Sequence, residues 1–289
     1  MNPPSDTPPG LLRQVFASPP ARVLLLGFVL LMMMGLNADV MTSYAGQPVK
    51  SVQHILALAV AGFAVYIGHA RLVEQREADE LRLQGMGREF GIGLLIGAGL
   101  YTACELALMG LGLYRITGLN PLSFLVPAIA MAVSSSVFEE LLFRGVLYRS
   151  VETWLGSWAA LAVSSLVFGL SHLLNPQATL VGALFIAVEA GILLGAAFML
   201  TRRLWVSIGF HMAWNYTQSA VFSSIVSGND AAPGLIRSTV NGPDLLTGGQ
   251  FGVESSVLAL ALCTTTGVVM LVLAVRRGQV VPPAWRRPR

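Results

Sequence analysis

The stretch Phe138-Glu139-Glu140-Leu141-Leu142-Phe143-Arg144 lies inside an apolar segment running from about Leu122 to Tyr148. Charge within a run long enough to cross a bilayer is expensive and persists where it pairs or works. Two carboxylates and a guanidinium at this place therefore point to a membrane fold and to its candidate site together. On a helix, neighbours diverge by ~100° while positions four apart stack on one face. Glu140 and Arg144 are expected to pair, which lets the arginine stay buried. Glu139 faces elsewhere without an intrahelical cation, the placement of a carboxyl free to move a proton. The alternative is a buried structural ion pair with a spare glutamate.

Working outward, the 289 residues are 54% hydrophobic and only 11% charged, with 30 glycines, a balance outside the soluble globular range. Apolar runs near the ~20 residues that cross a hydrocarbon core recur at 22–42, 51–70, 90–114, 122–148, 157–175, 178–200, 205–222 and 253–275. The expected fold is all-α, a polytopic integral membrane helical bundle of about eight transmembrane helices. Its divisions are a disordered, proline-rich cytoplasmic tail (1–20), N-terminal helices (21–115) with a solvated cytoplasmic linker at 71–89, and a polar core (121–220). An extracytoplasmic loop (223–252) and a last helix with a basic tail (253–289) complete it. No cleavable signal peptide is evident, so the first span is expected to direct insertion. A loop as long as 223–252 is a lid, a binding loop or disordered. Both cysteines, Cys104 and Cys263, fall in apolar runs, where disulfide or zinc-cluster spacing does not apply.

The net charge of +3 does not indicate nucleic acid, because the basic residues sit at span ends. Arg13, Arg22, Arg71, Arg76, Arg82, Arg88, Arg149, Arg202, Arg203, Arg276, Arg277, Arg286, Arg287 and Arg289 fall on one side, against Lys50, Arg115 and Arg237 on the other. Fourteen against three places both termini in the cytoplasm, in a multi-pass protein of a bacterial inner (plasma) membrane.

Two later spans carry polar residues at helical spacing. One holds Phe168 and His172; the other holds His211 and Asn215, four apart and on one face. Buried polar groups need mutual satisfaction, so these are expected to meet the glutamates. A glutamate with a histidine can deprotonate water, and a histidine with an asparagine can donate to an oxyanion, which suffices for peptide hydrolysis. Glu139, His172 and His211 are equally a set that could hold zinc; no cofactor is otherwise required. Neither a His-Glu-x-x-His helix nor a Gly-x-Ser-x-Gly elbow is present. Ser171 is expected to bond back to its own helix. Glu189 is a candidate cavity-lining residue, and Glu105 a structural one. Trp154, Trp158, Trp205 and Trp285 are expected at the membrane interface, and the glycines at 91, 93, 97, 99, 191 and 195 at close helix contacts. A ruler of ~1.5 Å per residue sets Glu139 ~13 Å, His211 ~9 Å and His172 ~22 Å from the cytoplasmic span ends, so a shared site requires shifted boundaries.

Glu139-Glu140-x-x-x-Arg144, Phe168-x-x-x-His172 and His211-x-x-x-Asn215, in that order on successive spans, resemble the three motifs of the CAAX protease and bacteriocin-processing (CPBP, or Abi) family of intramembrane endopeptidases. Gly191 to Gly195 and Thr201 to Trp205 also resemble that family's approach to its third motif, and the likeness covers about Pro121 to Tyr216. It implies Glu139 acting on water with His172, an oxyanion hole of His211 and Asn215, and Glu140 with Arg144 holding the site together. It also implies a cavity opening toward the cytoplasm. The substrate would be a membrane-associated, CAAX-like or otherwise lipidated, protein or peptide within the lipid bilayer. The rival functions are a non-catalytic scaffold or bacteriocin-immunity protein, and a proton-coupled transporter relaying through Glu139, Glu140 and Glu189. Oligomeric state is not legible.

Overall fold

The computed structural model describes residues 15–230 and 232–287; most of the tail expected at 1–20 lies outside them. The chain is a helical bundle: α1 (Pro19–Ser43), α2 (Pro48–Leu72), α3 (Met86–Gly110), α4 (Pro127–Glu140), α5 (Arg149–Ser171), α6 (Leu180–Ile186), α7 (Ile192–Thr201), α8 (Trp205–Tyr216) and α9 (Val257–Arg276). Pro19 and Pro20, expected in the tail, instead occupy the first turn of α1, capped by the Ser18 hydroxyl. Proline is at home there because the first turn leaves its N–H groups unbonded in any case.

Six helical segments among the described residues are long and apolar enough to cross a membrane. The difference from eight has two causes. The expected spans 122–148 and 157–175 form one run, Leu122–Leu174, broken at Gly156 (φ 80°, ψ 174°). That left-handed φ suits glycine, and the tail backbone at Val281 to Pro283 leaves no room for a Cβ. The seventh expected span is a 12-residue α8 followed by a 5-residue π turn, Thr217–Val221.

Two strands interrupt the all-helical expectation. Tyr114–Leu119 (β1) pairs antiparallel with Ile236–Val240 (β2), Tyr114 opposite Val240 and Leu119 opposite Ile236. The long loop is thereby tied to the α3–α4 connection and is further held by Tyr114 Oη donating to the Phe222 carbonyl (2.9 Å). This marks the strand-bearing end of the bundle.

The opposite end carries the arginines. The 71–89 linker is not wholly solvated: the side chains of Glu74 and Glu80 are buried. Glu74 pairs with Arg22 and Arg76, and Glu80 with Arg76 (2.7 Å) and Arg149 (3.1 Å). Tyr66 Oη donates to Glu80 Oε1 (2.5 Å), and the Glu80 carbonyl accepts from Leu204 N–H. Burial pushes the Glu80 carboxyl up, but Arg149 and the hydrogen bond and charge of Arg76 bring it below the ordinary carboxylate range. Trp205 is also drawn inward, its indole N–H donating to the Arg82 carbonyl (3.0 Å), whereas Trp154, Trp158 and Trp285 are exposed.

Glycines set close helix contacts, although Gly91 and Gly99, expected at one, have open space around them because they lie on the side of α3 turned from its neighbour. Gly93 and Gly97 of α3 lie against the backbone of α8 at Val206 and Phe210, and Gly209 of α8 against Phe90. Small residues allow backbones this close, and the contact fixes the helix that bears His211 and Asn215.

Candidate active site

Glu140 and Arg144 are both fully buried and pair at 2.8 Å. The second Arg144 amino group donates to the Gly191 carbonyl (3.2 Å), and the guanidinium lies 4.5 Å from the centre of the Phe168 ring. The pair therefore ties α4 to α5 and to the Ala187–Gly191 segment that contains Glu189. Glu140 Oε1 also meets His211 Nδ1 at 3.1 Å. Glu139 points to the other side, its side chain 17% exposed, with Oε2 3.8 Å from His211 Nε2. The adjacent carboxylates thus reach the two nitrogens of one imidazole.

His172 Nδ1 stands 2.8 Å from the Phe168 carbonyl. A carbonyl only accepts, so Nδ1 carries the proton, leaving Nε2 as the lone-pair nitrogen of the neutral ring. Asn215 Nδ2 donates to Ser135 Oγ (2.9 Å), which fixes the amide and leaves its second N–H free. Ser171 bonds back to the Phe168 carbonyl (2.6 Å).

Glu139, His172, His211 and Asn215 line one cavity of about 300 Å³. Straight helix from Glu139 to His172 would separate them by ~50 Å at 1.5 Å per residue; the break at Gly156 returns the chain so that they share a wall. Glu140 lies behind His211 and Arg144 beyond it, while the Phe168 ring packs edge-on against both histidines, 4.9 Å from His172 and 6.0 Å from His211 between ring centres.

Residues 121–217 match the family model of the type II CAAX prenyl endopeptidases, Rce1-like. The segment contains all three motifs, bears out the resemblance read from them, and supports a membrane endopeptidase. Neither a curated protein nor a solved structure matches the chain.

A smaller cavity of about 30 Å³ lies behind the two histidines, sharing His172, His211, Asn215 and Ser227 with the first. Glu189 lines it, buried, with Oε2 unpaired. Beside it is Glu254, which the sequence reading missed. Its carboxylate accepts from Trp214 Nε1–H (3.2 Å), Ser227 N–H (2.6 Å) and Ser227 Oγ–H (2.8 Å). It precedes α9, and burial pushes its carboxyl above the ordinary range against those donors. Its only signal in the sequence was an acid at the edge of an apolar run. Glu105 lines neither cavity and accepts from Tyr101 (2.8 Å) and Ser224 (2.7 Å).

Three π segments adjoin the site: Leu141–Tyr148 follows Glu140, Ala187–Gly191 contains Glu189, and Thr217–Val221 begins two residues after Asn215. Such bulges are frequent at functional sites. Among the described residues no three His, Cys, Asp or Glu gather at the spacing of a metal centre; the Nδ1 atoms of His172 and His211 are engaged by a carbonyl and a carboxylate, which leaves Nε2 as the remaining nitrogen of each ring.

Proposed function

We propose that the protein hydrolyses a peptide bond in a membrane-associated protein or peptide, using water activated by Glu139 and His172. The observation that carries this reading is the convergence of Glu139, His172, His211 and Asn215 on one cavity. In the proposed reaction the Glu139 carboxylate takes a proton from water as its oxygen attacks the scissile carbonyl. His172 Nε2 accepts a hydrogen bond from that water and orients it. The free N–H of Asn215 and a protonated His211, donating at Nε2, stabilise the oxyanion. Collapse breaks the C–N bond, and the proton held by Glu139 passes to the departing amine. Glu140 holds the other nitrogen of His211, and Arg144 balances Glu140.

The test is cleavage of membrane-anchored peptide reporters by purified protein in detergent, comparing wild type with Glu139→Gln, His172→Gln and His211→Gln. Loss of cleavage in all three with unchanged thermal unfolding supports the reading. Wild-type turnover by Glu139→Gln refutes it. Activity that survives a chelator favours water activated by Glu139 and His172; activity abolished by the chelator and restored by zinc favours a metal held by Glu139, His172 and His211.

A further inference from the structure

The two ends of this bundle differ, and the cavity belongs to one of them. Its mouth is formed by Asn175, Val226, Ser227 and Asn229, which lie in the loops at the strand-bearing end. Those loops are locked together there, Asn175 Nδ2 donating to the Ser227 carbonyl (2.6 Å) and Gln177 N–H to that of Gly228 (2.8 Å). Among the described residues, none from the arginine-bearing end lines it: the Glu74–Arg76–Glu80 network, the Gly156 break and the Arg202–Leu204 turn all lie away from it. One flank is open between helices. Gly27 of α1 packs against Leu142 and Val146, and from there toward the strand-bearing end the cavity fills the space between Leu31 and Met34 of α1 and Met131 and Ser135 of α4. Leu31 is exposed on the outer surface of the bundle.

Among the described residues, twelve arginines between Arg22 and Arg287 lie at the arginine-bearing end, against Lys50, Arg115 and Arg237 at the other. By the positive-inside rule that end is cytoplasmic. We infer that the cavity opens on the non-cytoplasmic side, and that its substrate is a peptide segment adjoining an apolar membrane anchor, which slides in from that leaflet between α1 and α4. This deepens the proposed function and rests on it. It departs from the cytoplasmic opening that the family resemblance implies, because in this chain the motifs and the arginines face opposite ends. The chemistry of the walls agrees with such a substrate. Leu31, Met34 and Met131 offer an apolar flank to the anchor, while Asn175, Ser227 and Asn229 offer polar groups to an extended backbone.

Single cysteines at exposed Asn241 and Gln84, one per end, test the orientation independently of activity; the native Cys104 and Cys263 are buried. A membrane-impermeant maleimide is expected to label Asn241→Cys in intact cells and Gln84→Cys only after permeabilisation. The reverse pattern overturns the inference whatever the enzyme cleaves. The route is tested with Leu31→Trp, measured on a membrane-anchored reporter and on the same peptide without its anchor. A several-fold rise in KM for the anchored reporter alone supports access between the helices. Equal effects on both, or on neither, overturn it. Failure of the wild type to cut either reporter in detergent would instead strike the proposed function and leave the labelling result standing.

Discussion

Replacing Glu140 with alanine tests the central arrangement most severely. The carboxylate is fully buried and serves two partners at once, Arg144 at 2.8 Å and His211 Nδ1 at 3.1 Å. Removing one member of a buried pair strands the other's charge, at a cost of about 3–5 kcal/mol. The loss is not confined to that pair, since an orphaned donor on His211 adds about 1–3 kcal/mol. Relaxation makes these less than additive, and about 4 kcal/mol is a reasonable working figure for the single variant. At about 2–4 °C per kcal/mol for a chain of this size, the melting temperature in detergent should drop by about 10 °C. The double variant Glu140→Ala/Arg144→Met removes the stranded cation and should recover much of that loss. Neither variant should cleave, because His211 has lost the group that holds its ring. The measurement is thermal unfolding followed by far-UV circular dichroism beside the reporter assay. A single variant as stable as wild type, or a double variant no better than the single, would show that the pair does not bear the charge balance argued from its burial.

Other expectations are less demanding. His172→Gln should lower kcat by about 10²-fold or more, with unchanged unfolding, since its ring makes only a local bond to Phe168. Gly97→Ala should destabilise the fold, because a Cβ there would overlap the Phe210 carbonyl; a cost of about 1–3 kcal/mol would appear in the same melts, and Gly99→Ala, with open space around it, is the control. Glu80 is held below the ordinary carboxylate range by Arg149 and Arg76. Its stabilisation is therefore complete above pH about 4.3 and is lost as pH falls through the lower folded value, so a pH series of melts should show an acid decline that Glu80→Gln flattens. Glu254→Gln leaves one acceptor oxygen, which keeps either Trp214 or the two Ser227 donors and sets an N–H against the other; the melts should show a loss of about 1–3 kcal/mol, and the pH profile of kcat should shift through the cavity that Glu254 shares with His172.

The sequence made the helices and the catalytic candidates legible because their signals are local. Apolar runs announce spans, and four-residue spacing announces shared faces, so spacing alone pairs Glu140 with Arg144 and sets His211 beside Asn215. What stayed hidden depends on distant residues. β1 and β2 stabilise each other across more than a hundred residues, and neither run alternates clearly enough to declare a strand. Glu74 and Glu80 looked like solvated charges because their partners, Arg22 and Arg149, come from other helices. Glu254 stood alone at a span edge, and the donors that hold it, Trp214 and Ser227, belong to another helix and to a loop with no apolar period. The π segments had no signature at all, as they differ from α-helix by a single residue.

The mismatch in depth among Glu139, His211 and His172 also acquires a cause. The ruler assumed three residues at one level of the bilayer, measured from the cytoplasmic ends. His172 instead lies where α5 gives way to a 3₁₀ turn at the strand-bearing end, while Glu139 sits far down α4 beside His211, 3.8 Å away. A cavity that runs along the bundle from its mouth inward brings the three together without requiring equal depth. The same inclination explains why the Asn175–Ser227 and Ser227–Glu254 bonds matter to the site: they close the loop wall beside His172, the one site histidine that lies at a helix end. The residues outside the matched segment, from Ser223 to Glu254, thus complete a wall that the motif-bearing helices leave open, and substrate selection is expected to be decided there.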